Sequence, residues 1–179
     1  MSEETRDILL RPLSLDDVDF MVMLTQNPDV ARFIPGMITD EEGLASWIKG
    51  LSAHDHEFVI LLNDILIGEC SLTETDDNGE IGLMLLPEYW RRGFGTETVH
   101  MLTSLAESLR LKTLTATTSR LNEPCIRLLQ KQGFKQKAIG WMISEEEIDL
   151  QEPLNQLFGT VIYEKTIGRN IADECNLYL

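Results

Sequence analysis

PEYWRRGFGTET, residues 87–98, decides the fold, because the hydrophobic period changes across it. Upstream, EIGLMLL (80–86) is short, apolar and bounded by turn residues, as a strand should be. Downstream, in TETVHMLTSLAESLRL (96–111), Val99, Leu102, Leu105, Ala106 and Leu109 fall on one face of a helix. The β-branched KTLTATT (112–118) then reads as a second strand. Residues 80–118 are therefore a β-α-β crossover, with the Gly-x-Gly step of Gly93–Gly95 where its helix begins.

The same reading extends outward. DILLRPL (7–13) is a first strand, and Ser14 caps a helix over LDDVDFMVMLTQ with Leu15, Val18, Val22 and Met23 as its apolar stripe. TDEEGLASWIKGL (39–51) is a second helix, with Thr39 as N-cap and Glu42 completing a capping box. EFVILL and ILIGECSLTET are strands joined by Asn63-Asp64. DDNG (76–79) closes the next hairpin, with Asn78-Gly79 supplying the positive φ values of a type I′ turn. Asn122, Glu123 and Pro124 open the helix CIRLLQKQ, and Gly133 ends it. FKQKAIGWMI and LFGTVIYEKTI are two closing strands around an acidic loop, SEEEIDLQEPLNQ (144–156). Residues 168–179 carry no signal. The order β-α-α-β-β-β-α-β-α-β-β is that of an α/β chain with a mixed sheet, and no linker or repeat divides it, so residues 1–179 are expected to form a single domain.

Composition narrows the function. The chain of 179 residues is 43% hydrophobic, enough for a real core, and carries a net charge of −15. That acidity argues against a nucleic-acid partner, which selects basic faces, and favours cationic ligands such as amines or basic peptide tails. Cys70, Cys125 and Cys175 are scattered, which fits a reducing compartment and no zinc site. The polar start MSEETRD is no signal peptide, and the apolar run around residues 58–68 is interrupted by Asn63-Asp64. These features lead to the expectation of a cytoplasmic protein without a membrane segment. DDNGE is no calcium loop, since counting from Glu74 the twelfth position is Leu85 rather than Glu. No metal is expected.

The Gly-x-Gly step lacks the Lys-Ser/Thr of a P-loop. It also lacks the third glycine of a dinucleotide fingerprint, Thr98 standing there, and PEYWRR separates it from its strand. Two readings remain from the residues alone. One is an anion cradle built from free N–H groups at the positive end of a helix, reinforced by Arg91 and Arg92. The other is a plain turn that starts a helix.

The surrounding motifs resemble those of the GNAT acetyltransferases. Trp90-Arg91-Arg92-Gly93-Phe94-Gly95 aligns with their acyl-CoA signature [QR]-x-x-G-x-[GA], departing from it at Trp90. The longer P-E-[YF]-W-x-x-G-[YF]-[GA]-T-E form resembles the branch that acetylates ribosomal-protein N-termini. IGLMLLPEYW, ILLRPLSLDD and LNEPCIRLLQKQGFK, with Asn122, Lys131, Gly133 and Phe134 in place, resemble further segments of that branch. The resemblance runs from about residue 7 to 167.

The resemblance implies a GNAT-like fold, with a mixed, mostly antiparallel sheet of about seven strands flanked by about four helices. It implies an N-acetyltransferase that moves the acetyl group of acetyl-CoA to a primary amine, either a protein N-terminus or a small amine, by direct attack. The alternatives are an aminoglycoside or polyamine acetyltransferase, or a non-catalytic acyl-CoA sensor. Residues Arg91, Arg92, Gly93, Phe94, Gly95 and Thr96 would cradle the pyrophosphate through their N–H groups, with the glycines giving the ligand room. A Gly95→Glu change is accordingly expected to abolish coenzyme binding and spare the fold. Leu83, Met84, Leu85 and Leu86 would line the pantetheine, and the Leu85 N–H would serve as oxyanion donor. Asn122 and Arg127 are further coenzyme contacts. Glu80 is the candidate base, with Glu69 and Glu74 beside it, and Cys125 the candidate acid, because Leu129 stands where many GNAT enzymes have a tyrosine. Trp47, Trp141 and Tyr163 are candidates to line the acceptor site. His54 and His56 read as loop residues. Family members often pair as homodimers.

Overall fold

The computed structural model describes residues 7–34, 36–141 and 159–167. The acidic loop at 144–156, the segment 168–179 and Cys175 lie outside them. The chain forms one seven-stranded sheet in the order β1-β2-β3-β4-β5-β7-β6. The strands are β1 Ile8–Pro12, β2 Asp55–Leu62, β3 Ile65–Thr75, β4 Asn78–Leu85, β5 Thr113–Ser119, β6 Lys135–Trp141 and β7 Gly159–Thr166. All neighbours are antiparallel except β4 and β5, which are joined by the crossover helix. The helices are α1 Val18–Thr25, α2 Pro28–Ala31, α3 Glu41–Gly50, α4 Phe94–Ser108 and α5 Glu123–Lys131.

The sheet separates two cores. On one face α4 and α5 cover Ile60, Cys70, Leu72, Ile81, Leu85, Leu114 and Ala116, with Val99, Leu102 and Ala106 of α4 buried against them. On the other, α1 and α3 cover Val59 and Leu86. The alternation of strand side chains produces this division, since residues i and i+2 share a face.

Several local expectations change. The α1 segment starts with a 3-10 turn at Leu15–Asp17, and its buried residues are Val18, Phe20, Met21, Leu24 and Thr25, while Leu15 and Met23 face solvent. What anchors its start is Asp17, whose carboxylate accepts from the Ser14 N–H at 2.9 Å and hydroxyl at 3.0 Å and from both Arg11 Nη atoms. The N-cap of α3 is Asp40, not Thr39, because its carboxylate reaches the Gly43 N–H at 2.8 Å. The four-residue α2, capped by Asn27, was not foreseen. The β3–β4 turn sits one step earlier than DDNG suggests. Asp76 takes the positive φ of 54°, while Asn78 and Gly79 already pair with Thr75 and Glu74. Gly79 is needed there for space, as a Cβ would lie 2.8 Å from Leu114 and 2.9 Å from Leu111. The Asn63-Asp64 turn is as expected, with φ of 50° and 64°.

Candidate functional site

The parallel pairing of β4 with β5 is short. It runs through Asn78↔Thr113, Gly79↔Leu114 and Glu80↔Thr115 and goes no further. Beyond it β4 stays paired with β3 as far as Gly68↔Leu85. The two central strands therefore part from Ile81 onward and open a cleft in the middle of the sheet.

The register says which backbone groups face that cleft. Leu86 N–H bonds Ile67 O at 2.9 Å, so even-numbered β4 residues turn N–H and C=O toward β3. Odd-numbered ones, Ile81, Leu83 and Leu85, turn theirs toward the gap. The Leu85 carbonyl is taken by the Trp90 indole N–H at 2.6 Å. The Leu85 N–H is left pointing into the opening.

The Gly-x-Gly loop closes the same end of the cleft. Arg91 has a φ of 60° and Gly93, the N-cap of α4, a φ of 98°. The first turn bond of α4 is Glu97 N–H to Gly93 O at 3.1 Å. The N–H groups of Phe94, Gly95 and Thr96 precede it and have no partner within the helix. With the helix dipole behind them, they form an anion-binding end. Arg92 lies over the Tyr89 and Phe94 rings, 5.5 and 5.3 Å from their centroids, while Arg91 is exposed beside it.

The two glycines do different work. A Cβ on Gly93 would meet nothing within 4 Å, so the residue is required by its positive φ. A Cβ on Gly95 would lie 3.1 Å from Leu128 and 3.5 Å from Leu83. Gly95 is thus where α4, α5 and β4 meet, and its missing side chain faces protein. Gly95→Glu would push α4 off the sheet, so that substitution does not separate coenzyme binding from folding.

Leu83 and Met84 are half-buried, and Leu85 and Leu86 are buried. Leu83 and Leu85 share a face toward α4 and α5, while Met84 and Leu86 pack on the α1–α3 side. Asn122 caps α5, its side chain accepting from the Cys125 N–H at 3.3 Å. Arg127 is exposed and paired with Glu123 at 2.9 Å. Cys125 is half-buried in the first turn of α5. Burial raises its thiol pKa, opposed by a hydrogen bond with Thr118, so the group stays a protonated thiol at neutral pH. Leu129 is buried in the core.

The carboxylates are less gathered than expected. Glu80 is exposed and accepts from Thr117 Oγ1 at 3.0 Å. Five residues of strand, about 16 Å, separate it from Leu85. Glu74 pairs with His56 at 2.6 Å on the opposite sheet face, near the same remote end. Glu69 is different. It pairs with Met84, next to Leu85, and is buried. Burial raises its pKa well above the ordinary value, and the neighbouring Glu57 carboxyl raises it further. Glu57 is raised too, first by burial, and its Oε2 is shut from solvent with no partner among the described residues. Of the aromatic candidates, Tyr163 is core and Trp47 packs against the α1–α3 core, while the Trp141 side chain lies outside what is described.

Sequence reading missed Gly68 and the Trp90 indole. A lone glycine within a strand was the available signal for the first, since it marks a bulge or a close backbone approach. Among the described residues no group of His, Cys, Asp and Glu is placed to hold a metal, and no helix is long and apolar enough to cross a membrane.

Residues 7–135 match the family model of the acetyltransferase (GNAT) domain. The uncharacterized N-acetyltransferase p20 of Bacillus licheniformis is 26% identical over 147 residues, covering 75% of this chain and 83% of that protein. In solved structures the fold recurs in a domain from Methanocaldococcus jannaschii DSM 2661, with a TM-score of 0.74 and 21% identity over 90% of this chain and 99% of that one. It recurs also in a variant of the spermidine N-acetyltransferase SpeG from Vibrio cholerae, with a TM-score of 0.71 and 16% identity over 89% of this chain and 93% of that one.

Proposed function

Because the chain belongs to the acetyltransferase (GNAT) domain family, we propose that it transfers the acetyl group of acetyl-CoA to the primary amine of a cationic acceptor. The observation that carries this reading is the cleft where β4 leaves β5 after Glu80, with the free N–H groups of the α4 start at one end. The pyrophosphate would lie on residues 91–96 and the pantetheine along Leu83 and Leu85, on the strand edge that β5 vacates. The thioester oxygen would then meet the Leu85 N–H.

The chemistry asks little more of the chain. The amine nitrogen bonds the carbonyl carbon as the carbon–sulfur bond breaks, and negative charge grows on the carbonyl oxygen. A donor placed at that oxygen contributes about 100- to 1,000-fold in rate. The amine must shed a proton, and the departing thiolate is a tolerable leaving group that gains one. Cys125, held as a thiol, is the candidate donor that the resemblance offers. The absence of a tyrosine at Leu129 leaves the acid step to it or to water.

The acceptor class is read from the sheet face opposite α4 and α5. Asp55, Glu80 and Glu164 form one row across that face, through the pairs Asp55↔Thr73↔Glu80↔Thr115↔Glu164. Glu164 is ion-paired with Lys137, and Glu57 and Glu69 on the same face have pKa values raised first by burial, so the charge of this face comes mainly from Asp55 and Glu80. Such a surface attracts ammonium groups. The branch-like motif around residues 81–98 supports a protein N-terminus, and the net charge supports polyamines equally.

The test is thermal unfolding with acetyl-CoA, CoA, ATP and NAD, followed by amine-dependent release of CoA thiol with spermidine and short peptides. Stabilisation by acetyl-CoA and CoA alone, about 2.7 kcal/mol at a hundred times the dissociation constant, is expected. No stabilisation by either would refute the cleft assignment. Stabilisation without thiol release across the acceptors would favour the acyl-CoA-sensing alternative.

A further inference from the structure

We infer that Gly68 and Trp90 are positioning residues that together aim the Leu85 N–H into the cleft, an inference that rests on the reading of Leu85 as donor to the thioester oxygen.

Gly68 sits beside a bulge. The β2–β3 register slips between Ile60 and Leu61, where Ile60 pairs with Gly68 but Leu61 with Leu66. Across the sheet, β4 leans onto this spot. A Cβ on Gly68 would lie 2.7 Å from Leu85 Cδ2 and 3.1 Å from Leu85 Cα, and closer still to the Met84 carbonyl oxygen. Two of these three atoms are backbone, so no side-chain rotation would relieve the contact. Only glycine admits this approach. The Met84 carbonyl and the Leu85 N–H belong to one planar peptide and point in opposite directions. Pressing the carbonyl toward β3 therefore turns the N–H toward the gap left by β5.

Trp90 holds the next peptide. Its indole N–H is donated to the Leu85 carbonyl at 2.6 Å, and its ring packs against both cores. Leu86 N–H is fixed on Ile67 O at 2.9 Å. Both peptides flanking Leu85 are thus constrained from outside β4, one by the space at Gly68 and one by the Trp90 indole. Trp90 also directly precedes Arg91, so the group that steadies the donor is tied to the pyrophosphate loop.

The test uses the full chain with acetyl-CoA labelled with carbon-13 at the carbonyl, whose stretching band reports a hydrogen bond to its oxygen. In the unaltered protein the band should move to lower frequency on binding. In Gly68→Ala and Trp90→Phe the movement should shrink. Their preference for acetyl-CoA over CoA should also fall by roughly fivefold, the worth of one hydrogen bond, while CoA binding itself holds. A merely structural role would weaken both ligands alike. Trp90→Phe keeps an aromatic ring there, smaller than the indole, and loses the N–H donor, so it carries the test where Gly68→Ala does not fold. A full band shift in both folded variants, or in Trp90→Phe alone where Gly68→Ala does not fold, overturns the inference. No band shift in the unaltered protein overturns the Leu85 reading beneath it.

Discussion

Replacing Gly93 with alanine isolates the backbone geometry of the anion-binding loop. The residue has a φ of 98°, and its Cβ would meet nothing within 4 Å, so the change adds backbone strain and no clash. An L-residue in left-handed conformation costs about 1–2 kcal/mol. That cost must appear somewhere. If the loop keeps its shape, the fold loses it outright, and a domain of this size should unfold about 2–8 °C lower. If the loop relaxes to a negative φ, the unliganded protein keeps its stability, and CoA must restore the strained form. Its dissociation constant then rises by about 5- to 30-fold. The two losses should sum to the same total. Thermal unfolding with and without saturating CoA, together with calorimetric titration, measures both terms. Gly93→Asn, which tolerates this region better, should lose less. Alanine with unchanged stability and unchanged CoA affinity would refute the cradle. A loss far above 30-fold would show that more than a backbone angle had been disturbed.

The other predictions concern charge. Burial first, and then the neighbouring Glu57 carboxyl, raise the Glu69 pKa well above its ordinary value, so the folded state binds more protons than the unfolded one as pH rises past that value. Stability should be full below the ordinary value of 4.5 and decline as pH rises beyond it; Glu69→Gln should flatten that decline, and denaturant unfolding at pH 5 and pH 8 would show it. Asp17 is the opposite case. Burial raises its pKa, but hydrogen bonds from Arg11 and Ser14 outweigh this and lower it, so its contribution is present above 3.8 and lost as pH falls through its depressed value. Asp17→Ala should cost about 2–3 kcal/mol at neutral pH, and the difference from the unaltered protein should vanish in acid. Salt should strengthen CoA association, because a chain of net charge −15 repels a polyphosphate at long range and ions screen that repulsion; stopped-flow association at two ionic strengths measures it.

The legible part of the sequence was its periodicity. The α4 stripe, the crossover and the order of elements along the chain follow from alternation and helical spacing, which tertiary packing reinforces here rather than overrides. In the loop, the glycines and the helix start were legible, since Gly93 has a positive φ and α4 begins at Phe94, while the residues alone left an anion cradle and a plain turn both open. The illegible part was whatever depends on strands meeting. Asp40 rather than Thr39 caps α3 because of one side-chain distance, and Asp76 rather than Asn78 takes the positive φ because Asn78 and Gly79 already pair with β3. Glu80, Glu74 and Glu69 look alike in sequence. Register alone puts Glu69 beside Met84 and the others at the far end of the sheet. Likewise Gly68 reads as an ordinary weak spot in a strand until β4 is laid against it.

The acidity of the chain sets a problem that the fold divides in two. On the proposed function, a coenzyme with several phosphates would bind to a protein whose long-range field repels it, while a cationic acceptor would be drawn in by the same field. The separation of sheet faces resolves this. The anion site is made from groups whose charge is local: helix N–H groups, Arg91, and Arg92 held over the Tyr89 and Phe94 rings. These act within about a Debye length, roughly 8–10 Å, where they outweigh the distant carboxylates. Asp55 and Glu80 lie on the other face and toward the closed end of β4, where their attraction would reach an ammonium without touching the pyrophosphate. β4 runs between the two faces. Its side chains Leu83 and Leu85 face one side, Met84 the other, and the Leu85 N–H emerges between them. On that reading, oppositely charged reactants would approach from opposite faces and meet at a single backbone donor.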